Sequence, residues 1–450
     1  MAIVLAKSKQ VSPAKQDSPA RSKQVSPARR AAFEILREVE AGAFSSVLLA
    51  AHEPALKPSD RTLTHELVLG VLRWQLWLDK SIEHFAKRSV ASLDRAVRLT
   101  LRLGLYQLRF LERIPASAAV NESVNLVRSA RVSSAAAFVN AVLRRAIRES
   151  DFDPTAEVID PVEKLAVETS HPTWLIQRWV ESFGLDKTEA FACVNNLVPP
   201  TAFRVVKGDS NGIVAQLTEA GGILESSVIA QDAWRVASAT SLVRELAANG
   251  KIYLQDEASQ LVAQTVNVEP GERILDLCAA PGGKATLMAQ QAEDRALIVA
   301  SDISARRLET VTRTKILHDL KSIKAVVLDA AQNLPFENSV FDRILIDAPC
   351  SGTGTLRRNP EIRWRLTDQD IHELAAQQKL FLRNAVRVLK PGGQLVYSTC
   401  SVERHENEQV IEAFLREHTG FKLLNTRRLW PQHEGTDGFF IASLQLATQQ

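Results

Sequence analysis

Beyond Gly250 the chain alternates short runs of Ile, Val and Leu with longer helical stretches, and few folds tolerate that alternation. Residues 273–277, 297–300, 325–328, 343–346 and 394–397 are brief and mostly apolar, the composition of strands buried on both faces. Helical stretches separate them at 284–291, 305–317 and 367–389, and Pro391-Gly392-Gly393 closes the last. Strand, crossover helix and strand again predict an α/β fold with a doubly wound parallel sheet. In such sheets ligands bind beyond the carboxyl ends of the strands, where the winding reverses. Every chemically suggestive residue of this half falls at such an end: Cys278 to Lys284, Asp302, Asp329, Asp347 to Gly354, and Ser398 to Cys400.

The first of these ends reads Ile274-Leu275-Asp276-Leu277-Cys278-Ala279-Ala280-Pro281-Gly282-Gly283-Lys284. A P-loop needs glycine where Cys278 stands and Ser or Thr where Ala285 stands, so ATP binding of that type is excluded. The dinucleotide fingerprint Gly-x-Gly-x-x-Gly is absent too. Small residues Ala279, Ala280, Gly282 and Gly283 still let backbone N–H groups and a helix N-terminus approach a ligand carrying a carboxylate. Asp302, about twenty residues on, has the spacing of an acidic side chain that holds ribose hydroxyls. An adenosyl ligand with a short charged tail fits better than a pyrophosphate, which makes S-adenosylmethionine the candidate. Alone, Asp302 or Asp329 would more often be a helix cap or turn residue. Placed after successive strands, they point to a ligand.

At 450 residues the length suggests about three domains. From 28 to 150 apolar residues recur every three or four positions, as at Leu99, Leu103 and Leu105 or Phe138, Val142 and Leu143, which predicts an all-helical unit. Arg95, Arg98, Arg102 and Arg109 fall on nearly one side of a helix, and Arg144, Arg145 and Arg148 cluster on another. Such rows can contact phosphates, although basic rows are more often solvated faces. Residues 151–171, rich in Asp, Glu and Pro, read as a linker, and 172–249 as a small α/β unit with a turn at Gly221-Gly222. The tail, 1–27, carries the repeat Ser-Lys-Gln-Val-Ser-Pro-Ala and is expected to be disordered. Residues 1–30 hold seven Lys or Arg against Asp17, and the remainder has 48 basic against 51 acidic residues, so the whole basic excess lies there. A flexible basic arm can hold polyanions through counterion release or simply be solvated. The sequence has no run of about 18 apolar residues, and Met1 to Ala6 is too short for a secretory apolar core, so a cytoplasmic protein is expected. Cys193, Cys278, Cys350 and Cys400 show no Cys-x-x-Cys spacing, and reduced thiols without a disulfide framework or metal site are expected.

Several segments together resemble the bacterial ribosomal RNA cytosine-5 methyltransferases of the Sun/Fmu (RsmB) family. They are the Asp276-to-Lys284 turn, Ser301-Asp302-Ile303-Ser304 with Arg306-Arg307-Leu308, and Asp347-Ala348-Pro349-Cys350-Ser351-Gly352-Thr353-Gly354, followed by Arg357-Arg358-Asn359-Pro360 and Ser398-Thr399-Cys400-Ser401. Tyr253 to Gln260 is similar to that family's entry into its catalytic domain, and the helical unit resembles its NusB-type RNA-binding domain. The resemblance spans about residues 28 to 445 and implies three domains: all-α NusB-like at 28–150, small α/β at 172–249, and a Rossmann-like S-adenosylmethionine-dependent methyltransferase domain at 250–445. It implies cofactor contacts from Cys278, Ala279, Ala280, Pro281, Gly282, Gly283, Lys284, Asp302, Arg307, Asp329 and Asp347. The implied substrate is a cytosine in small-subunit ribosomal RNA, and a monomer with neither membrane nor metal partner is expected. Two features depart from the pattern: Arg204-Val205-Val206 stands where relatives often have Arg-Val-Asn, and the basic repeat is not a family hallmark.

Chemistry accounts for two motif cysteines. Carbon 5 of cytosine is a poor nucleophile, but thiolate addition at carbon 6 makes the ring an enamine whose carbon 5 can attack a sulfonium methyl group. One cysteine must attack, and a second group can assist when the sulfur is expelled. Residue chemistry alone allows either order, since Pro349-Cys350 is similar to the nucleophile of DNA cytosine methyltransferases; the family resemblance implies Cys400 for attack and Cys350 for release. Asp347 can hold or supply the proton at ring nitrogen 3, and Lys284 can favour thiolate. Cys193 reads as a small buried hydrophobe and Cys278 as lining for the cofactor turn. Arg363 and Trp364 could clamp an extruded nucleotide or pack in the core, and Gly438-Phe439-Phe440 resembles the family's closing strand. The competing readings are a DNA-modifying enzyme and a non-enzymatic RNA-binding assembly factor. The second motif cysteine and the NusB-like unit argue against the first, and the full set Lys284, Asp302, Asp329, Asp347, Cys350 and Cys400 argues against the second.

Overall fold

The computed structural model describes residues 25–238 and 241–448; residues 1–24 of the repeat-bearing tail, and with them most of the expected disorder, lie outside the described residues. Pro27, with a pre-set helical φ and no N–H to leave unpaired, opens the first helix. The N-terminal bundle runs α1 Pro27–Glu40, α2 Ser45–His52, α3 Pro58–Arg73, α4 Gln75–Ala86, α5 Arg95–Phe110, α6 Ala116–Ser129 and α7 Ala136–Arg148. Asp94 caps α5 by accepting from the N–H groups of Ala96 and Val97. The apolar face of α5, with Val97, Leu101 and Leu105, lies in the core shared with α1, α3, α6 and α7.

The arginine row on α5 is turned against the protein. Arg95, Arg98 and Arg102 all reach Glu40, Arg102 also clamps Asp79 at 2.7 Å, and Arg109 donates to the carbonyls of Ala146 and Glu149. A phosphate would have to displace these partners, so the row is structural. Spacing along one helix cannot reveal that a neighbouring helix supplies the carboxylates. Arg145 is tied to Glu149, whereas Arg144 and Arg148 remain exposed.

The stretch read as a linker, 151–171, is partly helical, with α8 Pro161–Glu168, and the first part of the segment read as the small α/β unit is helical too, with α9 Thr173–Phe183 and α10 Leu185–Val194. Its Asp, Pro and Glu are helix-starting chemistry, with Asp160 accepting from the Glu163 N–H and Pro161 in the first turn. Trp179 and Phe191 centre this unit, and Leu356 and Val402 from the C-terminal half complete its core. The small α/β unit follows as β1 Thr201–Val205, α11 Ser210–Glu219, β2 Ile223–Ser226, β3 Ala233–Ser238, α12 Ser241–Ala248 and β4 Ile252–Leu254. Its strands pair antiparallel in the order β2-β3-β1-β4.

The C-terminal half continues with α13 Glu257–Val266, β5 Arg273–Asp276, α14 Gly283–Gln291, β6 Leu297–Asp302, α15 Ala305–Leu317, β7 Ile323–Val327 and β8 Phe341–Asp347. Then come α16 Ile362–Arg365, α17 Asp368–Val386, β9 Leu389–Thr399, α18 Glu408–Glu417, β10 Phe421–Leu429 and β11 Phe439–Leu446. The sheet order is β10-β11-β9-β8-β5-β6-β7, with β5 to β9 parallel and β10 and β11 antiparallel. Helices α13 to α15 pack on one face, α17 and α18 on the other. The winding therefore reverses between β5 and β8. The five expected strands are present, four of them longer than expected and β5 one residue shorter; β10 escapes the sequence because an edge strand with Leu423 and Leu424 half-exposed has no continuous apolar run.

The segment after the Cys350 loop joins these units. Glu361, buried, accepts from the Ser45 N–H at 2.8 Å and the Ser45 hydroxyl at 3.0 Å. Arg363, fully buried, donates to the carbonyls of Ser170 and Asn195 and to the Asn196 amide oxygen. The Trp364 indole N–H donates to the Leu72 carbonyl at 2.7 Å. Arg363 and Trp364 are thus packing residues, and neither clamps a nucleotide.

Candidate active site

The two strands flanking the reversal supply the site. After Asp276 at the end of β5, the chain turns through Leu277–Gly282 into α14; beside it, β8 ends at Asp347. Gly282 adopts φ +105°, and a Cβ there would lie 3.1 Å from the Val311 backbone; one on Gly283 would meet the Tyr253 ring at 2.9 Å. Only glycine fits both positions. Arg204 of β1 is buried and donates to the Thr286 hydroxyl at 2.8 Å and towards the Gly283 carbonyl, so the middle unit braces the first turn of α14.

Three acidic side chains crowd this end of the sheet. Asp276 is fully buried with no side-chain donor on either carboxylate oxygen, and burial, reinforced by nearby Asp347 and only partly offset by Lys284 and the Cys278 N–H, pushes its carboxyl up to about 7. Asp302 caps the turn into α15 by accepting from the Ser304 N–H at 3.0 Å. The Arg307 guanidinium lies 3.2 Å from its other oxygen without aiming an N–H at it, and donates to the Ala280 carbonyl at 3.1 Å. Asp347 accepts from Lys284 at 2.6 Å and from the Ser398 hydroxyl at 2.7 Å. Burial opposes the Lys284 charge, but Asp347 outweighs it and raises the ammonium pKa; the Phe439 ring lies 5.5 Å away. Asp329, just past β7, uses one oxygen to accept from the Ala331 N–H. Burial, with Asp276, Asp347 and Asp302 around it, holds the Cys278 thiol well above its usual pKa, which suits lining rather than reaction.

Cys350 and Cys400 stand with their sulfurs 3.3 Å apart. The hydrogen bond with Cys400 and burial both push the Cys350 thiol up, so Cys350 keeps its proton. Sequence reasoning missed what sets this pairing. Glu406, buried, accepts from the Ser351 N–H at 2.8 Å, the Ser351 hydroxyl at 2.5 Å and the Ser401 hydroxyl at 2.5 Å, tying together the residues that follow the two cysteines. Gln378 donates to the same carboxylate at 3.1 Å. Cys350 and Ser351 open onto a cleft of about 490 Å³, which Ile362, Arg365 and Leu366 also line, with Phe44 of the N-terminal bundle.

A sheet of this strand order, with a glycine-bearing turn after β5 and acidic groups at successive strand ends, is that of a Rossmann-like S-adenosylmethionine-dependent methyltransferase. A family model described as 16S rRNA methyltransferase RsmB/F matches residues 263–445, the NusB family matches 26–148, and a Methyltr_RsmF/B-like ferredoxin-like domain matches 171–243. The chain is 35% identical over 441 residues to the probable ribosomal RNA small subunit methyltransferase B of Bacillus subtilis, covering 93% of this chain and 98% of that one. It is 36% identical over 434 residues to the ribosomal RNA small subunit methyltransferase B of Pseudomonas putida, covering 92% and 98% respectively. The crystal structure of PH0851 superposes with a TM-score of 0.81 at 28% identity, covering 96% of this chain and 100% of that one. The chain belongs to the ribosomal RNA small subunit methyltransferase B family.

S-adenosylmethionine is accordingly the cofactor, and the residues present fit it. Asp276 and Asp302 each keep buried carboxylate oxygen that no side chain donates to, which leaves acceptors for an ammonium group and ribose hydroxyls. The turn at Gly282 and Gly283 leaves the backbone accessible.

Two outcomes follow from these groups. A carboxyl raised in the folded state contributes stability that is complete below its unfolded pKa and is lost as pH rises through the folded value. Cofactor-free protein should therefore lose stability between about pH 4 and pH 7, at up to about 1.4 kcal/mol per pH unit from this residue, and Asp276→Asn should flatten that slope in urea unfolding at several pH values. Glu406→Ala should cut kcat on the order of a hundredfold by loosening the cysteine loops while cofactor affinity by calorimetry stays unchanged. Glu406→Gln, which can still bridge both serines, should recover most of the loss.

Proposed function

We propose that this chain transfers a methyl group from S-adenosylmethionine to carbon 5 of a cytosine in small-subunit ribosomal RNA, through a covalent adduct with Cys400. The observation that carries the reading is the pair of free thiols 3.3 Å apart beside the Lys284–Asp347 ion pair. Membership of the family supports ribosomal RNA as the substrate class. Asp347, with a quarter of its side chain exposed and its oxygens oriented by Lys284 and Ser398, holds a proton at ring nitrogen 3 and makes the ring electrophilic. Lys284, whose ammonium Asp347 holds at 2.6 Å, supplies the positive charge on this side of the site. The cofactor supplies a sulfonium methyl group to carbon 5. Water, acting as base, then takes the carbon 5 proton, the freed electron pair re-forms the 5,6 double bond and expels the Cys400 sulfur, and the Cys350 thiol beside it donates its proton to that departing sulfur and is reprotonated from solvent.

Cys400→Ala should abolish transfer of tritiated methyl to ribosomal RNA while cofactor binding is spared; normal turnover would remove Cys400 from the nucleophile role. With Cys350→Ala the adduct should accumulate as an RNA–protein band that resists SDS. Absence of that band would assign release to another group. Bisulfite sequencing of ribosomal RNA from cells lacking the protein identifies the cytosine that loses its mark.

A further inference from the structure

A large aromatic side chain left half-exposed forfeits much of its burial energy, and Phe44, at 52% exposure, does so in the cleft that Cys350 lines. Its backbone is nonetheless held on both sides by the catalytic half. Arg365 donates to the carbonyls of Val39, Gly42 and Ala43 just before it, and Glu361 holds the Ser45 N–H and hydroxyl just after it. The Arg365 guanidinium also lies 5.5 Å from the ring centre. The ring is thus fixed in place, and its free surface faces the cleft that Cys350 and Ser351 also line.

We infer that Phe44 is a stacking platform for the nucleobase adjoining the cytosine delivered to the two cysteines, an inference that rests on the reading above. The cleft, at about 490 Å³, has the size that holds a drug-sized ligand and exceeds the needs of one pyrimidine ring. Asp370 and Glu373 line it too, and their carboxylates repel phosphate, so the wall suits the uncharged face of a base rather than the RNA backbone. Single-stranded RNA is recognised in this way, with unstacked bases laid on aromatic rings and guanidinium planes. The N-terminal bundle thereby contributes directly to substrate binding in the catalytic cleft.

The test uses the full chain, tritiated cofactor and small-subunit ribosomal RNA from cells lacking the protein. Phe44→Ala should raise KM for RNA about tenfold, the size of one lost base–aromatic stack, with kcat within about twofold and Tm unchanged. Phe44→Trp should behave as the native chain, and Phe44→Leu, apolar but not aromatic, should resemble Phe44→Ala. An unchanged KM in Phe44→Ala, full recovery by Phe44→Leu, or a fall in kcat alone would overturn the inference. Bisulfite sequencing of the tritium-labelled RNA tests the proposed reaction separately. Methyl incorporated without any new bisulfite-resistant cytosine would sink that reading and leave the KM comparison interpretable.

Discussion

A buried guanidinium without a carboxylate partner is the constraint on which the arrangement depends. Arg363 is fully enclosed, its charge spread over the carbonyls of Ser170 and Asn195 and the amide oxygen of Asn196, and burial lowers its pKa to about 9. Taking such a charge from water costs several kcal/mol, and although its Nε–H stays without an acceptor, both terminal nitrogens are met by the helical unit of Trp179 and its flanking residues, which fixes where that unit docks. Its neighbours extend the same logic in other directions. Glu361 grips Ser45 of the N-terminal bundle, and Arg358 grips Asp437, Asp256 and the Pro200 carbonyl. All lie in the segment that follows the loop bearing Cys350. The position of one thiol is therefore a property of the whole molecule.

Electrostatics divides labour among cysteines of identical chemistry. Cys278 stands among Asp276, Asp302 and Asp347 and keeps its proton; Cys350 keeps its proton through Cys400 and burial. Cys400 is the thiol that Lys284 interacts with, and that cation is itself held by Asp347. The acidic cluster also costs stability while unpartnered, which is the price of a site built to receive a cationic ligand.

Much of this was legible in the sequence, because information local to one element survives reading in one dimension. Strand ends, the small-residue turn and both motif cysteines fell where the alternation after Gly250 placed them, and the resemblance to the family supplied the domain order. What stayed hidden depends on partners far away in the chain. The arginines of α5 have the spacing of a phosphate-binding row, yet Glu40 and Asp79 face them from α1 and α4. Asp160 and Pro161 read as linker composition because a helix start and a loop share the same residue types. Glu406 gave no signal at all: its meaning lies in serines 55 and 5 residues distant that only the fold brings to one carboxylate. Asp276 was in plain view, but nothing in its motif announces that both oxygens are left without side-chain donors.

The grip of Glu361 on Ser45 joins positions 316 residues apart, and this has a bearing on how the protein is born. Domains fold from the N-terminus as a chain emerges, so the amino-terminal bundle stands finished while its later counterpart is still unwritten. Through most of translation, the amide and hydroxyl of residue 45 stay hydrated and the aromatic beside them borders open solvent. The enclosure comes into being only in the closing stage of synthesis, once residue 361 has emerged.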